Sequence, residues 1–230
     1  MCIRDSHCPN RSTLGILTKD GCFAEYVTLP LSNLIEIPEN VPDEQAVLVE
    51  PLAAGLEILE QMHIQPCQKV MVLGDGKLGL LTALALNACG LDVLIVGKHQ
   101  NKLDIAKNQG VKTQLLSEFE QAPKFDVVVE ATGSITGFET SVNCVKPRGT
   151  LVLKSTIAAS KELNLAPIVI NEITILGSRC GRFAPAMRLI ASGKIDFSQM
   201  ISKIYPIEQA VEAFDANNAK DTIKILLKIG

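Results

Sequence analysis

The sequence predicts an α/β fold, a doubly wound parallel sheet with helices on both faces. Three observations carry that prediction. From residue 69 to about residue 176, short apolar runs rich in β-branched residues alternate with helical stretches. The first run is followed at once by G-x-G-x-x-G, formed by Gly74, Gly76 and Gly79, and a helical segment begins inside that pattern. The chain of 230 residues, 47% hydrophobic and 20% charged, can bury a sizeable core.

Taken in order, the first six residues fit no element and residues 7–13 are loop-like. Residues 14–17 and 22–28 read as strands joined by a turn at Lys19, Asp20 and Gly21. Residues 34–38 read as a further short strand ended by Pro38. A helix is expected from about residue 42 to 58, broken or kinked at Pro51. The following strands are expected at residues 70–73, 92–96, 111–115, 126–130, 149–153 and 173–176. Helices fall between them at 78–88, 100–109 and 135–145. After Phe183 the pattern changes to a helix at 185–192, a strand near Ile204, a helix at 207–217 and a strand at 222–229.

The glycine pattern carries the chemistry. Gly74 permits a tight turn, Gly76 lets backbone approach a pyrophosphate, and Gly79 lets the helix press against the strand. The helix start at Lys77, Leu78 and Gly79 offers free N–H groups and the positive end of its dipole to phosphate. With a second apolar strand at 92–96, this is the context of a Rossmann dinucleotide-binding unit.

The turn after that second strand indicates which dinucleotide. An acid there would bind the ribose 2′-hydroxyl of NAD. The sequence instead has Gly97, Lys98, His99 and Lys102, and Asp92 is at the wrong end of the strand. A small residue followed by cations leaves room and charge for a 2′-phosphate, so NADP is expected, with NAD the alternative. On that reading Gly97→Asp should reverse the preference.

Composition excludes other classes. A net charge of -3 gives no nucleic-acid footprint. No apolar run is long enough to cross a bilayer, and no signal peptide is visible. Seven cysteines without a C-x-x-C pair read as reduced thiols in a cytoplasmic chain. Cys22, Cys67, Cys89, Cys144 and Cys180, in or beside apolar stretches, are expected to be buried spacers.

Several phrases together resemble the medium-chain dehydrogenase/reductase superfamily in its zinc-type alcohol dehydrogenase branch. They are residues 21–26 (GCFAEY), 50–53 (EPLA), the glycine motif, 129–133 (VEATG), 148–155 (RGTLVLKS), 171–179 (NEITILGSR), and Tyr205-Pro206 before 210–214 (AVEAF). The resemblance implies an incomplete GroES-like catalytic domain at residues 1–51, a Rossmann domain at 52–184, and a segment at 185–230 returning to the catalytic part. It begins at about His7. The family's first zinc cysteine, its Gly-His-Glu segment and three of its four lobe cysteines have no match. An N-terminally truncated, catalytically incomplete member with an unrelated leader is therefore expected.

The resemblance also implies site residues. Glu50 is similar to a glutamate that can coordinate the catalytic zinc of polyol dehydrogenases, where zinc acts as a Lewis acid on the alcohol oxygen. Cys8 stands in the place of a structural-zinc ligand. His7, His63 and His99 show no ligand spacing with Glu50, so zinc is expected only in a full-length enzyme. Thr132, Gly133 and Ser155 would lie near the nicotinamide and its ribose. Arg179, leaving the sixth strand, would meet a phosphate or form a surface ion pair. The implied activity is hydride transfer between a small alcohol or carbonyl substrate and NAD(P), in a homodimer joined through residues 173–176. A zinc-free quinone reductase-like enzyme and a non-catalytic dinucleotide-binding module are the alternatives.

Overall fold

The computed structural model describes residues 10–156 and 162–229. Cys8, expected to match a zinc ligand, lies outside the described residues. Near the start, β1 (Thr13–Leu14) and β2 (Thr18–Lys19) make only a two-residue pairing. The strands expected at 22–28 and 34–38 do not form. A strand persists only where a neighbour takes its backbone N–H and C=O groups, and no described segment pairs with these residues.

Two helices follow, α1 (Asp43–Ala46) and α2 (Val49–Gln61). The break expected at Pro51 falls just before α2 instead. Pro51 is the third residue of α2, in the first turn, where a missing N–H removes no helical bond. Then come β3 (Lys69–Leu73), α3 (Lys77–Ala88), β4 (Asp92–Gly97), α4 (Gln100–Lys107), β5 (Lys112–Leu115), β6 (Phe125–Glu130), α5 (Ile135–Cys144) and β7 (Val145–Leu153). A short α6 (Ala166–Ile170), which the sequence pattern did not signal, precedes β8 (Thr174–Gly177) and α7 (Phe183–Ala191). The chain ends with β9 (Lys203–Pro206), α8 (Ala210–Asn217) and β10 (Ile225–Lys228).

Strands β3 to β8 form one six-stranded sheet, parallel throughout, in the order β5-β4-β3-β6-β7-β8. Val70, Met71 and Val72 are wholly buried, as are Val127, Val128 and Val129. Burial on both faces explains why these strands read as continuous apolar runs and not as alternation. The strand order reverses direction between β3 and β6. At such a switch point the loops on the carboxyl ends diverge and leave a crevice.

By packing, the chain divides into two compact units, Pro38–Gln199 and Met1–Ile37 with Met200–Gly230. The larger unit is wider at both ends than the 52–184 drawn from sequence, because α2 packs on α3 and α7 packs in turn on α2. In the smaller unit β9 and β10 pair in parallel, α8 packs on β10, and Phe23 meets Phe214 edge-on at 5.8 Å between ring centroids. The buried-spacer reading of the cysteines holds for Cys144 alone. Cys22, Cys67, Cys89 and Cys180 are exposed, because an apolar neighbour in sequence does not ensure that a side chain faces inward.

Candidate functional site

A cleft of about 390 Å³ opens over the carboxyl ends of β3, β4 and β6. Its floor is the turn from β3 to α3. Gly74 has φ +119, a left-handed conformation that glycine tolerates, and its amide bonds Val96 O at 2.8 Å. Gly76 caps α3 and presents no side chain. A Cβ added there would meet nothing within 4 Å, so the space above the first turn is open. No side chain caps α3, and its first-turn N–H groups at Lys77, Leu78 and Gly79 lack helical acceptors. This is an anion seat at the positive end of a 12-residue helix.

One wall is the β4–α4 turn, where Gly97, Lys98, His99 and Lys102 all line the cleft. Lys98 is exposed, but Lys102 is only 8% exposed and is not a solvated surface lysine. Asp92 lies at the far end of β4, paired with Lys112 at 2.5 Å. The turn carries no acid of its own, as its sequence indicates, but one reaches it from the glycine turn. Asp75, the middle residue between Gly74 and Gly76, reaches across to it. Its Oδ2 accepts from Lys98 N at 2.7 Å and His99 N at 2.6 Å, and lies 3.0 Å from His99 Nδ1. The expected effect of Gly97→Asp also falls, since a Cβ on Gly97 would sit 2.4 Å from Asp75 Cβ.

The opposite wall includes Ala131, Thr132 and Ser134, and it is held from behind by Glu130, to which the sequence reading gave no role. Glu130 ends β6 and is 1% exposed. Its Oε1 accepts from Thr132 N at 2.6 Å and Thr132 Oγ1 at 2.5 Å, while Oε2 accepts from Ser155 Oγ. Ser155 Oγ in turn accepts from Gly133 N at 2.9 Å. One buried carboxylate therefore joins the loops after β6 and β7, and hydrogen bonds to a charged acceptor are among the stronger ones. The signal was an acid ending the apolar run of Val127 to Val129.

Lys154, the residue after β7, was also missed as a structural element. It is 8% exposed, and its Nζ donates to Ala54 O at 2.5 Å and Ser178 Oγ at 3.0 Å, tying α2 to the end of β8. Burial pushes its ammonium down to about 8, against Glu57, Cys180 and Glu50, which favour its charge.

The cleft brings together Gly74, Gly76, Gly97, Lys98, His99, Lys102 and Thr132. Gly133 and Ser155 adjoin it through the Glu130 network. Arg179 is exposed and does not line the cleft. Glu50 is exposed in the first turn of α2. Among the described residues no three His, Cys, Asp or Glu side chains gather to hold a metal ion.

Comparison with known proteins agrees with this fold. D-arabinitol dehydrogenase 1 of Uromyces fabae is 30% identical over 230 residues, covering 92% of this chain and 66% of the relative. D-xylulose reductase A of Aspergillus oryzae is 27% identical over 226 residues, covering 90% and 63%. The chain thus spans just under two thirds of the length of these relatives. Among solved structures, a zinc-binding dehydrogenase from Sinorhizobium meliloti 1021 bound to NADP superposes with a TM-score of 0.86 at 27% identity, covering 96% of this chain and 69% of that one. The sequence pattern of the zinc-binding dehydrogenases matches residues 78–192, half of the chain. With its sheet order and glycine turn, the chain therefore belongs to the zinc-binding dehydrogenase family, the zinc-type branch of the medium-chain dehydrogenases/reductases.

Proposed function

We propose that the chain is the cofactor-binding part of an NADP-dependent alcohol or polyol dehydrogenase, with NAD the alternative cofactor and a small alcohol, aldehyde or ketone as substrate. The observation that carries this is the open seat above Gly76 and the first turn of α3, set at the switch point of the sheet. The names of the relatives and the NADP in the S. meliloti structure support it. Gly74, Gly76, Lys77, Leu78 and Gly79 would hold the pyrophosphate. Gly97, Lys98, His99 and Lys102 would face the adenosine ribose, and Thr132, Gly133 and Ser155 the nicotinamide side. The nicotinamide, when bound, supplies the hydride chemistry. The chain binds it, orients it and holds the surrounding loops. Arg179 would act outside the cleft, at a surface pair or a phosphate end.

Zinc is proposed only for a longer protein. A catalytic zinc takes three protein ligands, and Glu50 alone is a candidate among the described residues. The free thiols of five described cysteines favour a reducing, cytoplasmic setting.

The test is titration of the 230-residue chain with NADPH and NADH, followed by nicotinamide fluorescence. Both should bind. At low salt NADPH should bind more tightly, by up to about tenfold for one effective cationic contact, and added salt should shrink the gap. Binding of neither nucleotide would defeat the reading.

A homodimer is part of the same proposal. β8 forms the sheet edge, pairing with β7 alone among the described strands. Ile173 is buried and unavailable, but Ile175 is exposed, as are Val169 and Ile170 on α6. An open apolar edge favours pairing with a second copy around a dyad. Sedimentation equilibrium should show a dimer that Ile175→Lys weakens. A monomer at high micromolar concentration would rule this interface out.

A further inference from the structure

We propose that Asp75 sets the cofactor selectivity of this cleft, acting from the glycine turn as the ribose-facing acid that β4 lacks and opposing a 2′-phosphate. The inference rests on the cleft being a dinucleotide site, and it names the group that limits the preference for NADP.

Three observations support it. First, the Asp75 side chain is 10% exposed, and the residue lines the cleft with Lys98, His99 and Lys102. Its charge therefore sits in a poorly solvated place beside the cations expected to attract phosphate. Second, Oδ2 occupies the amides of Lys98 and His99. Successive backbone N–H groups in a turn are natural donors to an anion, and here they are already taken by an anion of the protein. None of the three Oδ2 contacts uses Oδ1, which leaves that oxygen able to accept from a ribose hydroxyl. Third, the arrangement requires Gly97. A Cβ at that position would lie 2.6 Å from both Asp75 Cγ and Oδ2, so the acid from the first turn and a side chain at the end of β4 exclude one another.

The competing role is purely structural. In it Asp75 is a latch holding the entry to α4, whose first turn no side chain of its own caps. The two roles separate experimentally. Asp75→Asn keeps an oxygen for the two amides and removes the charge, and Asp75→Ser is a second variant should the first fail to fold. NADPH and NADH affinities are measured on the full chain, alongside 2′,5′-ADP and 5′-ADP as probes of the adenosine end. Loss of a charge a few ångströms from the phosphate should shift the NADPH-to-NADH affinity ratio by about tenfold or more toward NADPH at low salt. The ratio for 2′,5′-ADP over 5′-ADP should shift the same way, and both shifts should shrink as salt is added. If both cofactors weaken equally and the ratios stay put, Asp75 is only a latch and the inference is wrong. If the unsubstituted chain binds neither cofactor, the dinucleotide reading fails and takes this inference with it.

Discussion

Gly79→Ala is expected to lower the stability of the chain by about 3 kcal/mol, toward the upper end of what overpacking costs. The added Cβ would lie 2.0 Å from Gly74 O and 2.9 Å from Gly74 C. Both are backbone atoms, so no side-chain rotation relieves the clash, and α3 must move off β3. The neighbouring substitution should behave in the opposite way. Gly76 has φ −72, and its Cβ would enter open space. Gly76→Ala should therefore leave stability within about 0.5 kcal/mol, while NADPH affinity falls tenfold or more because the methyl fills the phosphate seat. Urea denaturation and cofactor titration on both variants separate packing from binding. An equally stable Gly79→Ala would show that helix and turn have slack. An undiminished NADPH affinity in Gly76→Ala would place the cofactor elsewhere.

The second large effect is on pH dependence. In the folded chain Lys154 loses its proton at about 8, against 10.5 for an ordinary lysine. Between those values the unfolded chain binds more protons than the folded one, so stability rises with pH, at up to about 1.4 kcal/mol per pH unit. Below pH 8 this group contributes no slope. From pH 9 an opposite effect begins, because burial pushes the Cys144 thiol up from 9.0 to about 11. There the folded chain keeps a proton that the unfolded chain gives up, and stability falls with similar slope. Cys89, also raised chiefly by burial, acts in the same direction. The net expectation is a rise of about 1 kcal/mol confined to pH 8–9, then a shallow fall as Cys144 offsets Lys154 and Cys89 adds to it, steepening once Lys154 is exhausted as a source of slope near 10.5. In Lys154→Met the rise should vanish and a fall should begin near pH 9. Denaturation midpoints at half-unit steps from pH 7.5 to 10 decide the matter. A rise that survived in Lys154→Met would assign it to another group.

Much of this protein was legible in its sequence because the informative signals are local. Continuous apolar runs of four to six residues, each followed by a helical period, specify parallel strands buried on both faces. The six strands of the sheet form at the predicted places along the chain, with ends shifted by a few residues. Gly74, Gly76 and Gly79 mark the turn because backbone conformation and close packing depend on the residues themselves.

What tertiary structure alone decided concerns where side chains go once distant segments meet. Asp75 is 23 positions from Lys98, and Glu130 is 25 from Ser155, so no local pattern couples either pair. Lys154 stands in sequence only as the residue after a strand, yet its ammonium bonds the carbonyl of Ala54 on α2, 100 positions away. The strands expected at residues 22–28 and 34–38 failed for the converse reason. Their apolar, strand-like composition is real, but a strand is completed by a neighbour's backbone, and none of the described segments supplies one. Local sequence thus determined which backbone shapes were available, while burial and hydrogen-bond satisfaction between distant segments determined where Asp75, Glu130 and Lys154 place their charged groups.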